Sequence, residues 1–123
     1  MKTEMPTYQE RNLPKVLFVQ KKFFSQIESG EKTAELRVAF SFFTQIKPGF
    51  ILEFRTGGVK ESIRVRVGEV RRYDALDEVL ARENVSKIAP GMSPEGITSE
   101  SSRLFNSKDI EKYGLIVIDF EKV

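Results

Sequence analysis

Eight consecutive residues, Gly30-Glu31-Lys32-Thr33-Ala34-Glu35-Leu36-Arg37, hold two cations and two carboxylates. A lysine and an arginine on either side of a carboxylate offer two kinds of chemistry. Together they can grip a polar ligand through charge-assisted hydrogen bonds, or the lysine can polarise a carbonyl while a carboxylate moves a proton. Exposed ion pairs of this kind are also common and contribute little, so the spacing alone does not make a site. A further carboxylate stands out downstream. Leu76, Val79 and Leu80 form a helical stripe, and continuing its period lands on Glu83. If the helix persists, desolvation raises the pKa of Glu83 and suits it to proton transfer; if it has frayed there, the side chain reaches water.

The elements that must position these groups can be read from local pattern. Phe23 and Ile27 lie four apart with Phe24 beside them, which predicts a short amphipathic helix over Lys21–Ser29, ended by Gly30 as a left-handed cap. Ala34, Leu36 and Val38 then alternate with Thr33, Glu35 and Arg37, the pattern of a half-buried strand with a polar second face and Lys32 at its start. Upstream, Val16-Leu17-Phe18-Val19 reads as a strand buried on both sides, and residues 1–14 as an N-terminal arm before a single domain over 15–123. Ile46-Lys47-Pro48-Gly49 predicts a turn of type II. Phe50–Arg55 and Ser62–Val67 flank Gly57-Gly58 and predict a hairpin, with Arg64 and Arg66 on its polar face and a bulge near Gly68 that resets the alternation. Asp74 is placed as the N-cap of the helix carrying Glu83, with Asp77 in its first turn. Ser93-Pro94 starts a further helix with a weak Ile97, Leu104, Phe105 stripe. Ser107–Lys112 is a short turn or helix, and Leu115–Phe120 is a central strand, apolar on both faces until Asp119.

Composition narrows the chemistry. At 123 residues with 40% hydrophobic and 31% charged content, the chain suits one soluble domain. It has no apolar run of membrane-spanning length and no signal-like start, so a cytoplasmic location without membrane association is expected. With neither Cys nor His, thiolate and imidazole chemistry and the usual transition-metal ligands are missing, so no metal and no cofactor is expected. Any catalysis must rest on Lys, Glu, Asp, Ser, Thr or Tyr. Net charge is only +2, yet Arg55–Arg72 carries six cations against two carboxylates, which predicts one basic side.

The charged string, the Ile46–Gly49 turn and Tyr113-Gly114 before the last strand, in that order, resemble the ASCH family over about Lys15 to the end. The string is similar to that family's G-x-K-x-x-E-x-R pattern. One departure is Phe50, where the family usually has an Asp after the turn glycine. The resemblance implies an α+β fold similar to the PUA domain, a small mixed β-barrel with helices packed across its openings. It also implies a cleft beside the barrel that binds RNA or a modified nucleoside or nucleotide, with Lys32, Glu35, Arg37 and Tyr113 lining it. Arg64, Arg66, Arg71, Arg72 and Lys87 then supply attraction to phosphates, and Phe40, Phe42 and Tyr73 offer stacking surfaces.

Some bacterial relatives are N(4)-acetylcytidine amidohydrolases, whose catalytic groups are a Lys in the same string, a Thr three residues later and a Glu ending the next helix. Lys32 and Glu83-Asn84 match that pattern, whereas Glu35 stands where the Thr belongs and Thr33 offers a hydroxyl from another position. The resemblance therefore implies Lys32, Glu83 and Thr33 as the catalytic set of a metal-independent hydrolase. A carboxylate beside the lysine favours its protonated form, which suits recognition better than base or nucleophile chemistry. Binding of RNA or a nucleotide is the first expectation and hydrolysis of N(4)-acylated cytidine the second. A third is a protein-interaction or regulatory module that uses the basic sheet face to hold a protein partner.

Overall fold

The computed structural model of the protein describes residues 14–123, so the arm expected over residues 1–14 lies, but for Pro14, outside the described residues. The elements run β1 (Lys15–Phe18), α1 (Lys21–Ser29), β2 (Ala34–Val38), α2 (Ser41–Thr44), β3 (Ile51–Arg55), β4 (Ile63–Tyr73), α3 (Leu76–Arg82), α4 (Pro94–Leu104), α5 (Ser107–Tyr113) and β5 (Leu115–Lys122). A 3-10 turn over Val85–Lys87 joins α3 to α4. The strands form one sheet in the order β1-β3-β4-β5-β2, with β1 parallel to β3 and every other pair antiparallel. The sheet curls into a half-barrel of the small PUA-like kind, in an α+β fold with five helices.

Several local signals act as their chemistry requires. Gly30 caps α1 at φ 86°, and Ser93 Oγ accepts from Gly96 N at 3.0 Å at the start of α4. Pro48-Gly49 turns the chain, with Phe50 N donating to Lys47 O at 3.1 Å. The β4–β5 register shifts between Val67 and Val70, which is the bulge expected at Gly68. Past it, β4 runs on to Tyr73, so the strand is longer than its pattern suggested.

Two apolar clusters lie on opposite faces of the sheet, and β5 supplies both. Ile116, Ile118 and Phe120 pack inside the curl with Leu17, Leu52, Phe54, Val65 and the α1 residues Phe24 and Ile27. Leu115 and Val117 pack on the other face with Ala34, Leu36 and Val38 of β2, Val79 of α3 and Ile97 of α4. β5 is thus the central strand its sequence describes.

Other expectations are corrected. β1 is an edge strand, and its Phe18 is 65% exposed, so that run is buried on one side only. Asp74 does not cap α3: the N-cap position is Ala75, without a side-chain bond, and Asp74 N instead donates to Glu78 Oε1 at 3.1 Å. Nor is the polar face of β2 wet, since Glu35 is only 6% exposed.

Candidate functional site

β1 and β2 are the two free edges of the half-barrel, and the charged string lies where they approach each other. After Gly30 the chain folds back along α1, with Lys32 N donating to Gln26 O at 3.0 Å and Thr33 N to Lys87 O at 2.9 Å. This holds Lys32 between α1 and the 3-10 turn, where its side chain is 2% exposed. Its Nζ donates to Ala34 O and Ile88 O, both at 2.6 Å, and pairs with Glu35 Oε1 at 2.8 Å. An ammonium has three N–H bonds, and each has an acceptor here. The carbonyl of Ile88 follows the 3-10 turn and has no helical partner to come, so Lys32 acts as its cap.

Glu35 takes a second cation on its other oxygen. Arg37 Nε donates to Glu35 Oε2 at 2.7 Å, and Arg37 Nη2 reaches across to Phe18 O at 2.8 Å. The circuit Lys32–Glu35–Arg37–Phe18 therefore bridges the seam between β2 and the end of β1. Burial pushes the Glu35 carboxyl up, but the charges and hydrogen bonds of Lys32 and Arg37 outweigh it and hold the group below its ordinary value.

Above this circuit is a cleft of about 270 Å³. Its apolar walls include Phe18 and Phe23 on the β1–α1 side and Ile88, Met92, Ile97 and Leu104 on the α4 side. Gln20 and Glu100 face each other across it, with Gln20 Nε2 donating to Glu100 Oε1 at 3.4 Å. The Arg103 hydrogen bond holds Glu100 below its ordinary pKa. Sequence reasoning missed the contribution of α4. Ile97, Ser101, Leu104 and Phe105 share one helical face, so the buried Ser101 interrupts an apolar stripe, as Glu83 interrupts the period of Leu76, Val79 and Leu80, and that was the available signal.

Among the residues singled out from sequence, Lys32, Glu35 and Arg37 meet in the cleft. Glu83 does not join them. On β5, Asp119 pairs with Ala34 and Ile118 with Glu35, so Asp119 and Glu35 project from opposite faces of the sheet. Glu83 belongs to the Asp119 face, where Arg71 donates through Nε and Nη2 to Glu83 at 2.6 and 2.8 Å, and through Nη1 and Nη2 to Asp119, both at 2.8 Å. Tyr73 OH donates to Glu83 Oε2 at 2.5 Å.

Neither outcome considered for Glu83 holds in full. The helix does end at Glu83, which is extended, yet its side chain is only 7% exposed. Its pKa is lowered rather than raised, because the Arg71 hydrogen bonds, with help from Tyr73, outweigh desolvation. The same contact, with burial, pushes the Tyr73 phenol up. Arg71 is thus committed to carboxylates, Glu69 at 3.2 Å included.

Thr33 is anchored by its backbone, accepting from Phe120 N at 2.9 Å besides donating to Lys87 O. Tyr113, at the end of α5, lies outside the cleft with its ring 5.0 Å from that of Phe40, and its carbonyl accepts from Arg72 Nη2 at 3.1 Å. Arg64, Arg66, Arg72 and Lys87 are exposed. Arg64 shares the buried Glu53 with Arg55, at 3.4 and 2.6 Å. Among the described residues no group of three or more Asp, Glu, Cys or His side chains is arranged to hold a metal ion, and no helix is long and apolar enough to cross a membrane.

Two solved structures share the fold over 90% of this chain. One is the crystal structure of the hypothetical protein PH0355, at 27% identity and a TM-score of 0.78, covered over its whole length. The other is the solution structure of protein PF0455 from Pyrococcus furiosus, at 28% identity and a TM-score of 0.70, with 98% of that chain covered. No curated protein matches the chain. The ASCH domain family model matches residues 17–123, a span that takes in the charged string, both edges of the seam and the helix above them, and the chain belongs to the ASCH domain family.

Proposed function

We propose that this ASCH domain is a recognition module that holds a nucleobase of RNA, or a free nucleoside, in the cleft over Lys32, Glu35 and Arg37. The observation that carries the reading is the hydrogen-bond circuit under apolar walls. Glu35 is ionised between two cations and keeps lone pairs for base N–H groups. Arg37 commits Nε and Nη2, which leaves the Nη1 donors of its fork for a base carbonyl. The walls give the ring faces apolar cover. A volume of about 270 Å³ sits near the lower end of small-molecule sites, ~300–1,000 Å³, and suits one base with its sugar rather than a stacked run. Phosphate attraction comes from the outer sheet face, where Phe18 on the cleft rim pairs in register with Arg55, and Arg64 and Arg66 follow on the neighbouring strand.

Hydrolysis of N(4)-acylated cytidine has less support. All three N–H bonds of Lys32 are directed at acceptors, and the carboxylate cast as acid/base is bound to Arg71 on the other face of the sheet. The test is calorimetric titration with the four nucleosides and with short single-stranded RNA. Arg37→Leu is expected to weaken binding by about tenfold or more, and Glu35→Gln to weaken it too, as losses of charge-assisted hydrogen bonds do. Absence of any binding, or binding indifferent to both variants, overturns the reading. Release of acetate from N(4)-acetylcytidine that Lys32→Ala abolishes replaces it with the hydrolase.

A further inference from the structure

Six large apolar side chains remain exposed among the described residues, and their distribution is uneven. Phe18 and Leu104 rim the cleft, Val123 is the last residue, and the other three, Phe40, Phe42 and Tyr113, gather around α2. The rings are ordered against each other and against cations. Phe40 meets Tyr113 edge-on at 5.0 Å, and Phe42 meets Phe43 at 5.1 Å. Lys15 Nζ lies 4.1 Å from the Phe42 ring, Lys112 Nζ lies 5.1 Å from the Tyr113 ring, and Arg72 Nη2 is held on the Tyr113 carbonyl. The strip lies near the cleft by way of the half-buried Phe43, whose ring meets that of Phe42 on one side and lies 5.4 Å from the Arg37 guanidinium. From Val38 to Leu52 the chain has no carboxylate, and its one charged residue is Lys47.

Exposed aromatic faces beside cations match the chemistry of a polyanion that carries flat rings. We infer that the Phe40–Phe42–Tyr113 strip is a second binding surface, near the cleft, that stacks the nucleotides flanking the cleft-bound base of a single-stranded RNA while Arg72 and Lys112 meet its phosphates. The inference rests on the nucleobase reading of the cleft and extends it from one base to a strand. It separates two roles. The cleft supplies discrimination between bases, and the strip supplies affinity that grows with length and tolerates sequence.

The experiment compares affinities for a nucleoside with those for homo-oligoribonucleotides of the same base, three and six long, using the whole chain. Each added base that stacks is expected to tighten binding by about tenfold. Phe40→Ala combined with Tyr113→Ala removes most of that gain and leaves nucleoside affinity unchanged, while Tyr113→Phe keeps the gain. Arg72→Ala makes the plot of log affinity against log salt shallower by about 0.7. A hexamer that binds no tighter than the nucleoside, or a gain that survives loss of both aromatics, overturns the strip and leaves the cleft standing. Absence of binding by nucleoside and oligomer alike overturns the cleft reading, and the strip with it.

Discussion

Burial alone would lift the Glu35 carboxyl, and the cations on either side of it reverse that. The stability that follows has a definite sign with pH. The folded-state pKa lies below the unfolded value of about 4.3, so around pH 4 the unfolded chain binds more protons. The contribution is therefore complete above the unfolded value and is lost as pH falls through the folded one. Glu83 acts with the same sign through Arg71 and Tyr73. Glu35→Gln is expected to be less stable than wild type at pH 7 and to lose less between pH 7 and 3. Urea midpoints across that range decide it, and parallel curves would show that Glu35 carries none of the acid sensitivity. Lys32 is the counterpart: a lysine 2% exposed is tolerated because each proton has an acceptor, two of them backbone carbonyls that would otherwise be unmet.

At the scale of elements, the junction of α5 and β5 shows how strictly some positions are set. Gly114 has φ 77° and ψ −167°, a conformation essentially closed to other residues, and a Cβ there would sit 2.7 Å from Tyr73 O. Gly114→Ala is expected to cost more than the ~1–3 kcal/mol of the backbone conformation alone, because neither β4 nor β5 can yield without disturbing their pairing. Gly58→Ala, at φ 79° with open space around it, should cost only the backbone part, ~1–2 kcal/mol. Equal losses for the two in chemical denaturation would remove the steric argument. Elements defined by their own residues were legible in the sequence: α1 with its glycine stop, the Pro-Gly turn, the Gly68 bulge and the Ser93 cap. Those whose character depends on neighbours were not. The Val16–Val19 run looks buried on both sides, yet β1 is an edge strand with Phe18 turned outward. Asp74 has the chemistry of a cap, but the turn out of β4 starts the helix one residue later.

For the whole molecule, the arrangement of β5 makes one unit of two apolar clusters. Ile116 and Ile118 face the inside of the curl, and Leu115 and Val117 face α3 and α4. Leu115→Ala in one cluster should cost ~2–5 kcal/mol and Ile118→Val in the other ~0.5–1.5 kcal/mol. Both are expected to shift a single unfolding transition, with near- and far-ultraviolet circular dichroism coinciding. Two separated transitions in either variant would mean that the clusters unfold independently. Seam and sheet are closed by the same kind of long-range tie: Arg37 joins β2 to β1, and Arg71 joins the end of α3 to β4 and β5.

The sequence by itself determined most of the elements and their order, and the closeness of Lys32, Glu35 and Arg37 in one short segment, because periodicity and turn chemistry act between residues a few places apart; the class of fold followed from the family resemblance, and the short helix α2 left no pattern of its own. Only the tertiary structure decided which charges work together. Lys32 is completed by the carbonyl of Ile88, 56 residues on, and Arg37 by that of Phe18, 19 residues back. Glu83, which the family resemblance had implied as a partner for Lys32, is instead bound by Arg71 on the far face of the sheet. The physical reason is the pairing register: a side chain's face follows from the strand beside it, and the pairing of Asp119 with Ala34 has no trace in either segment alone.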